Sequence, residues 1–198
     1  MRDLRRDIDR SCDVFSYDYR PSIPKSIAER FPHIMDSYCV YIGTIRYAIV
    51  RVLNVHTIYE VGIGWGIAAR AFLAANPDAR YFGIDDESMG VSIAEALSGL
   101  ETAQWKRCDS DEFNFAHPAG PIDLIHIDGC HVREHEARDI VKAVQSGAKW
   151  MLIDDIHEKG VLAAFGDAMA TVWRAEAIPM VYFEHSTSCM LVHTGAYK

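Results

Sequence analysis

The sequence has no apolar run approaching the roughly 20 residues of a membrane-spanning helix. Its first ten residues, MRDLRRDIDR, carry no apolar segment of the kind that directs secretion. A cytoplasmic protein without a membrane partner is expected. Its five cysteines are an odd number without a C-x-x-C pair, which argues against both a disulfide framework and a zinc knuckle. Basic excess is also missing: 20 Lys and Arg face 28 Asp and Glu, a formal net charge of -8. Nucleic acid, whose phosphates need a basic face, is therefore not the expected substrate, and a small molecule is. No internal repeat or low-complexity segment is visible. What remains is 198 residues, 49% hydrophobic and 24% charged, one domain's worth of chain that buries about two thirds of its surface.

The most informative stretch is residues 57–87, TIYEVGIGWGIAARAFLAANPDARYFGIDDE. An apolar run at 58–61 breaks into Gly62, Gly64 and Gly66, and helical spacing resumes from Ile67. Strand, glycine turn and helix N-terminus in that order present backbone N–H groups and a positive helix end to a ligand. A second apolar run, 81–84, ends at Asp85 and Asp86, where a carboxylate reaches a ribose lying over the turn of the neighbouring parallel strand. The turn is G-x-G-x-G and not the dinucleotide pattern G-x-G-x-x-G, and Glu60 precedes it by two residues. A carboxylate there repels a pyrophosphate and suits the cationic amino-acid portion of S-adenosylmethionine (SAM).

Glu60-Val61-Gly62-Ile63-Gly64-Trp65-Gly66 resembles the first motif of class I SAM-dependent methyltransferases, and Asp85 resembles the acid that holds the cofactor ribose in that family. The resemblance implies SAM as cofactor, bound by Glu60, Gly62, Gly64, Gly66 and Asp85, with Asp109 placed near the adenine ring. Two other readings stay open: a tight βα turn of another α/β protein, and for Asp109 or Asp111 a solvated acidic loop that caps the next turn.

Along the chain, prolines at 21, 24 and 32 interrupt a charged start and leave one short helix at 26–31. Ile34, Tyr38, Tyr41, Ile45, Ala48 and Val52 then predict a helix over 33–54. Its placement resembles the N-terminal segment that helps form the acceptor pocket in small-molecule methyltransferases. Tyr17, Tyr19, Tyr38 and Tyr41 are candidates for that pocket, against the alternative that they are core. Helices are expected at 88–97, 132–146 and 161–175, and strands at 102–106, 121–128 and 150–153. Runs at 181–184 and 189–193 flank Ser186-Thr187-Ser188 and read as a hairpin. This alternation predicts an α/β protein, a mostly parallel sheet with helices on both faces and an antiparallel edge hairpin. With the resemblance it becomes the seven-stranded, Rossmann-like class I methyltransferase fold. Residues 1–56 would be a helical segment serving as substrate pocket or lid, 57–198 the cofactor-binding core, and the whole one compact domain.

A second constellation lies at two other strand ends: Asp128 with His131, and Asp154 with Asp155. Neighbouring strands about 4.8 Å apart bring these carboxylates into one volume, where they repel unless a cation sits between them. Hard oxygen ligands with few nitrogens suit magnesium or a similar divalent ion. The same residues resemble those of the metal-dependent O-methyltransferases that act on macrolide sugars and related natural products. That resemblance, covering roughly residues 57–160, implies Asp128, Asp154 and Asp155 as metal ligands and His131 as general base. No lysine follows Asp128 closely, unlike in the catechol and caffeoyl types. A metal-bound hydroxyl would lose its proton to neutral His131 and attack the sulfonium methyl.

Against these roles stand plainer ones. A histidine just after a strand often bonds a backbone carbonyl at a helix entry, and Asp154 points away from Asp155 if the strand alternation continues. His126 inside its strand reads as a core histidine, His157 as a further ligand or substrate contact, and Trp65 as lining the cofactor pocket or covering the first helix; Cys130 has no role. The expected function is a metal-assisted SAM-dependent O-methyltransferase acting on a small-molecule hydroxyl in natural-product biosynthesis. Its rivals are a cyclisation or elimination on the same scaffold, and a non-catalytic cofactor-binding module. The apolar helix at 33–54 leaves a homo-oligomer open.

Overall fold

A computed structural model describes residues 2–14, 17–115, 121–172, 180–183 and 189–194. The end of the helix expected at 161–175, the hairpin tip at 184–188 and the side chain of Tyr38 lie outside the described residues. The charged start, read from sequence without an element of its own, is a helix, α1 (Arg2–Val14). Leu4, Ile8 and Cys12 recur every four residues among the charges and pack onto the core, while Arg5–Asp9 at 2.8 Å and Arg6–Asp3 at 3.0 Å pair along the outer face. After α2 (Lys25–Arg30) a 3-10 turn, Pro32–Met35, takes the start of the expected helix, so α3 runs only from Ser37–Leu53. Asn54, at φ 52°, closes it in a left-handed cap.

Strand and helix then alternate: β1 (Thr57–Val61), α4 (Ile67–Ala75), β2 (Arg80–Asp85), α5 (Ile93–Ala96), β3 (Ala103–Arg107), β4 (Leu124–Ile127), α6 (Arg133–Gln145), β5 (Trp150–Ile153), α7 (Lys159–Val172), β6 (Met180–Phe183) and β7 (Cys189–His193). The helix expected over 88–97 shrinks to one turn, because Glu87 and Gly90 take positive φ and Ser92 caps the chain only then, accepting from the Glu95 N–H at 3.2 Å.

The seven strands form one sheet in the order β3-β2-β1-β4-β5-β7-β6. β1 to β5 are parallel, and β7 runs antiparallel to both β5 and β6, which makes the closing hairpin. The order reverses between β1 and β4, which opens a crevice beyond their carboxyl ends, the usual ligand position in such sheets. Strand alternation divides the core in two. Ile58, Leu124 and Leu152 face α3 and α4, with Ile45, Ile49 and Phe72 among their partners. Tyr59, Ile125, Met151 and Ile153 face α6 and α7. Ile8, Tyr19, Ile27 and Ile34 belong to the first cluster, so the N-terminal segment shares its core with the sheet. Among the described residues no helix is long and apolar enough to cross a membrane.

Candidate active site

Three ladders run one residue past their strands. The N–H groups of Gly62, Asp128 and Asp154 donate to the carbonyls of Ile84, Val61 and Ile127 at 2.9, 2.9 and 3.0 Å. Glycine turn and acidic strand ends thereby stand side by side along the crevice.

Gly62 has φ 84°, and a Cβ there would overlap the Asp128 carbonyl, so the first turn residue must be glycine for the two halves to meet. Gly64, φ 52°, is different: a Cβ would meet nothing within 4 Å, which leaves the open side of the turn as a cradle. Gly66 is the N-cap of α4. Asp85, at the end of β2, folds over this turn: Oδ2 accepts from the N–H groups of Ile63 at 2.8 Å and Gly64 at 3.0 Å, and Oδ1 from that of Glu87 at 2.6 Å. Asp86 turns outward and caps Ser88.

Glu60 sits differently from its expected place against a ligand cation. Strand alternation points it into the α3 face, where it is 2% exposed; the Tyr81 hydroxyl donates to Oε2 and His126 Nδ1 lies 3.0 Å from Oε1. His126, expected in the core, is fully buried. Asp109 accepts from the Asp111 N–H at 2.8 Å, capping the 3-10 turn Ser110–Glu112, and lies 3.1 Å from His135 Nε2. That geometry matches the capping alternative. Trp65 packs against Phe31 and His33, ring centroids 5.7 and 5.1 Å away, which brings the N-terminal segment to the glycine turn. Tyr19 is fully buried and Tyr17 stacks on Tyr47, so these two aromatics are structural.

At the other strand ends Asp128, His131 and Asp155 gather. His131 Nε2 is 3.8 Å from Asp128 Oδ1 and 3.7 Å from Asp155 Oδ2, and its Nδ1 is 3.3 Å from Glu158 Oε2. The approach of the imidazole N–H to the accepting Asp128 carboxylate is the main cause that lifts the imidazole from its ordinary 6.5 to about 9; burial opposes it, and the charges of Asp128, Asp155 and Glu158 add to it. A pKa lifted that far favours the imidazolium at neutral pH, where the sequence reading expects a neutral base. Beneath it Glu136, 1% exposed on α6, is pushed up to about 8, chiefly by burial, with His131 pulling the other way.

Asp154 does not join this group. It continues the alternation of β5 and points, buried, to α3, where it forms an ion pair with Arg46. Arg46, 4% exposed, also lies 3.6 Å from Asp128 Oδ2. Burial works to lower the Arg46 pKa, but Asp154 and Asp128 outweigh it and the net shift is upward. Burial pushes the Asp154 carboxyl up and Arg46 pulls against it, with a net upward shift, while the guanidinium keeps its proton. Sequence reading missed Arg46. Its signal was a lone cation with Ile42, Ile49 and Val50 at i-4, i+3 and i+4, on an apolar helix face.

A divalent ion held jointly by Asp128, Asp154 and Asp155 does not fit this arrangement. Candidate ligand atoms lie within 4.8 Å of one another in Asp128, His131 and Asp155, and separately in His126, Asp128 and Asp154, and Arg46 occupies the second group. The third such cluster among the described residues, Asp109, Asp111 and His135, is engaged by Arg138 at 2.7 Å and Lys142 at 3.6 Å from Asp111.

Several solved structures share this fold. The O-methyltransferase TomG from Streptomyces achromogenes, involved in tomaymycin synthesis and solved with SAM, superimposes with TM-score 0.69 at 15% identity, over 94% of each chain. An O-methyltransferase from Bacillus cereus, in complex with SAH, matches with TM-score 0.62 at 14% identity, over 94% of this chain and 99% of its own. A methyltransferase from Geobacter sulfurreducens matches with TM-score 0.65 at 18% identity, over 90% and 89%. No family model matches the chain, and no curated protein does. The fold is the Rossmann-like one of the class I SAM-dependent methyltransferases, shared with these O-methyltransferases.

Proposed function

We propose that this protein is a SAM-dependent O-methyltransferase that methylates a hydroxyl of a small molecule. The observation that carries the reading is the Gly62–Gly66 turn, open at Gly64 and clasped by Asp85, set directly beside the Asp128–His131–Asp155 group. Bound in the cradle, SAM supplies an electrophilic methyl group. Gly64 admits the cofactor, Gly62 and Gly66 hold the turn in shape for it, and Asp85 is offered to its ribose. Glu60 acts from below, by holding Tyr81 and His126, and Asp109 by shaping the loop at the crevice rim.

The acceptor hydroxyl lies against His131, with Asp128 and Asp155 orienting the imidazole. His131 must release its resting proton to solvent before it takes the hydroxyl proton, so turnover rises with pH through about 9. The N-terminal segment supplies the acceptor pocket as a lid, through Phe31 and His33 against Trp65. A natural-product hydroxyl is the acceptor class that the likeness to TomG supports. The three-aspartate form of the metal site is not retained, because Asp154 is paired with Arg46; Asp128, His131 and Asp155 are the group left that could hold an ion. No observation favours cyclisation, elimination or a non-catalytic module.

Calorimetry of the full chain with SAM tests the cofactor, and methyl-labelled SAM with a panel of phenols and sugar alcohols tests the acceptor. One SAM per chain and label transfer to an oxygen are expected. A chain that binds no SAM ends this reading.

A further inference from the structure

We propose that Arg46 is the resident cation of the acceptor site, holding the place between the ends of β4 and β5 where a divalent ion would bind, so that the site is built to work without one. The inference rests on reading this crevice as the acceptor site.

Asp128, Asp154, Asp155 and Glu158 converge there, and carboxylates so placed need positive charge among them. The protein supplies it from α3: Arg46 lies between Asp154 and Asp128, while His131 lies among Asp128, Asp155 and Glu158. The guanidinium is no surface side chain folded in by chance. It is 4% exposed, it springs from the apolar face of α3, and its partner Asp154 is 5% exposed on the opposing sheet face. A buried, always-protonated guanidinium cannot leave Asp154 without losing its partner inside the core. An incoming divalent ion that used Asp154 would sit against that positive charge and be repelled.

Arg46 also divides Asp128 in two. Oδ2 faces the guanidinium and Oδ1 faces His131, so Arg46 is a positioning residue: it fixes the carboxylate that orients the imidazole. The N-terminal segment thereby contributes an essential charge as well as pocket walls.

The test is Mn2+ binding, followed by electron paramagnetic resonance on the full-length protein, with SAM calorimetry in parallel. Wild type is expected to leave equimolar Mn2+ free in solution, and Mg2+ is expected to leave its melting temperature unmoved. Arg46→Met frees Asp128 and Asp154 and is expected to bind one Mn2+ per chain at least tenfold more tightly than wild type. Adding Asp154→Asn should abolish that gain. Arg46→Gln, which keeps length and polarity, serves if Arg46→Met does not fold. Stoichiometric Mn2+ uptake by wild type overturns the proposal by itself. So does a folded Arg46 variant that binds no Mn2+. Loss of SAM binding by wild type would instead strike the proposed function and leave the Mn2+ result standing.

Discussion

The glycine turn and the acidic strand ends occupy the same rim of the same sheet and are built in opposite ways. The turn is local: Gly62, Gly64, Gly66 and Asp85 lie within one strand, one helix and the next strand, and its bonds join backbone N–H groups to one carboxylate. The acidic cluster is assembled across the chain, and its organising residue, Arg46, is 108 positions from Asp154. The first region is constrained by backbone shape, the second by charge balance in a low dielectric. A single added methyl group should therefore break the first, while pH should act on the second.

The largest effect is expected where the two regions touch. Gly62→Ala combines a positive φ with overlap on the Asp128 carbonyl and should cost on the order of 3 kcal/mol or more in urea unfolding, if the chain folds at all. Gly64→Ala carries the strain of its φ alone, about 1–2 kcal/mol, and its methyl group enters the cradle, so SAM affinity should suffer more than stability. Equal stability losses for both would dissolve the distinction between junction and cradle.

Next in size is Asp85→Ala, expected to weaken SAM at least about tenfold in calorimetry, roughly 1.4 kcal/mol. Unchanged affinity would remove Asp85 from the cofactor site.

On the acidic side His131 provides a pH signature. Its folded pKa, about 9, is above its ordinary 6.5, so the stability it contributes is fully present below about 6.5 and is lost as pH rises through about 9. In melts from pH 6 to 10, His131→Gln should flatten that decline. A mutant curve parallel to wild type would refute the assignment.

The smallest expected change is at Glu136. Its carboxyl is raised from 4.5 to about 8, so the folded state holds a proton that the unfolded state has released, and stability falls as pH climbs through that window. Glu136→Gln should raise the melting temperature at pH 8 by about 2–4 °C, the shift that corresponds to about 1 kcal/mol for a chain of this size. No change at pH 8 would mean that Glu136 is not held protonated.

The legibility of these parts follows from how they are built. Periodicity exposed β1, β2, β5 and α6 almost to the residue, because half-buried strands and amphipathic helices must repeat, and it drew β4 at twice its length. It missed α1, whose Leu4, Ile8 and Cys12 stripe is narrow and set among Arg and Asp, and whose partner α3 is not visible in local spacing. It overextended α5 because Glu87 and Gly90 turn the chain in ways that apolar spacing does not record. Asp128, Asp154 and Asp155 were all recognised as strand-end acids, yet their grouping as one ligand set did not hold, since Asp154 follows the pleat to α3 and Asp155, at φ 48°, leaves it.

The sequence by itself determined the order of strands and helices, the glycine turn with its clasping acid, and the presence of acids at the ends of β4 and β5. These depend on neighbours within a few residues, and local sterics and alternation dictate them. Only the tertiary structure decided which cation those acids meet. Charge compensation in a buried volume depends on what packing brings there, and packing α3 against the sheet brought Arg46.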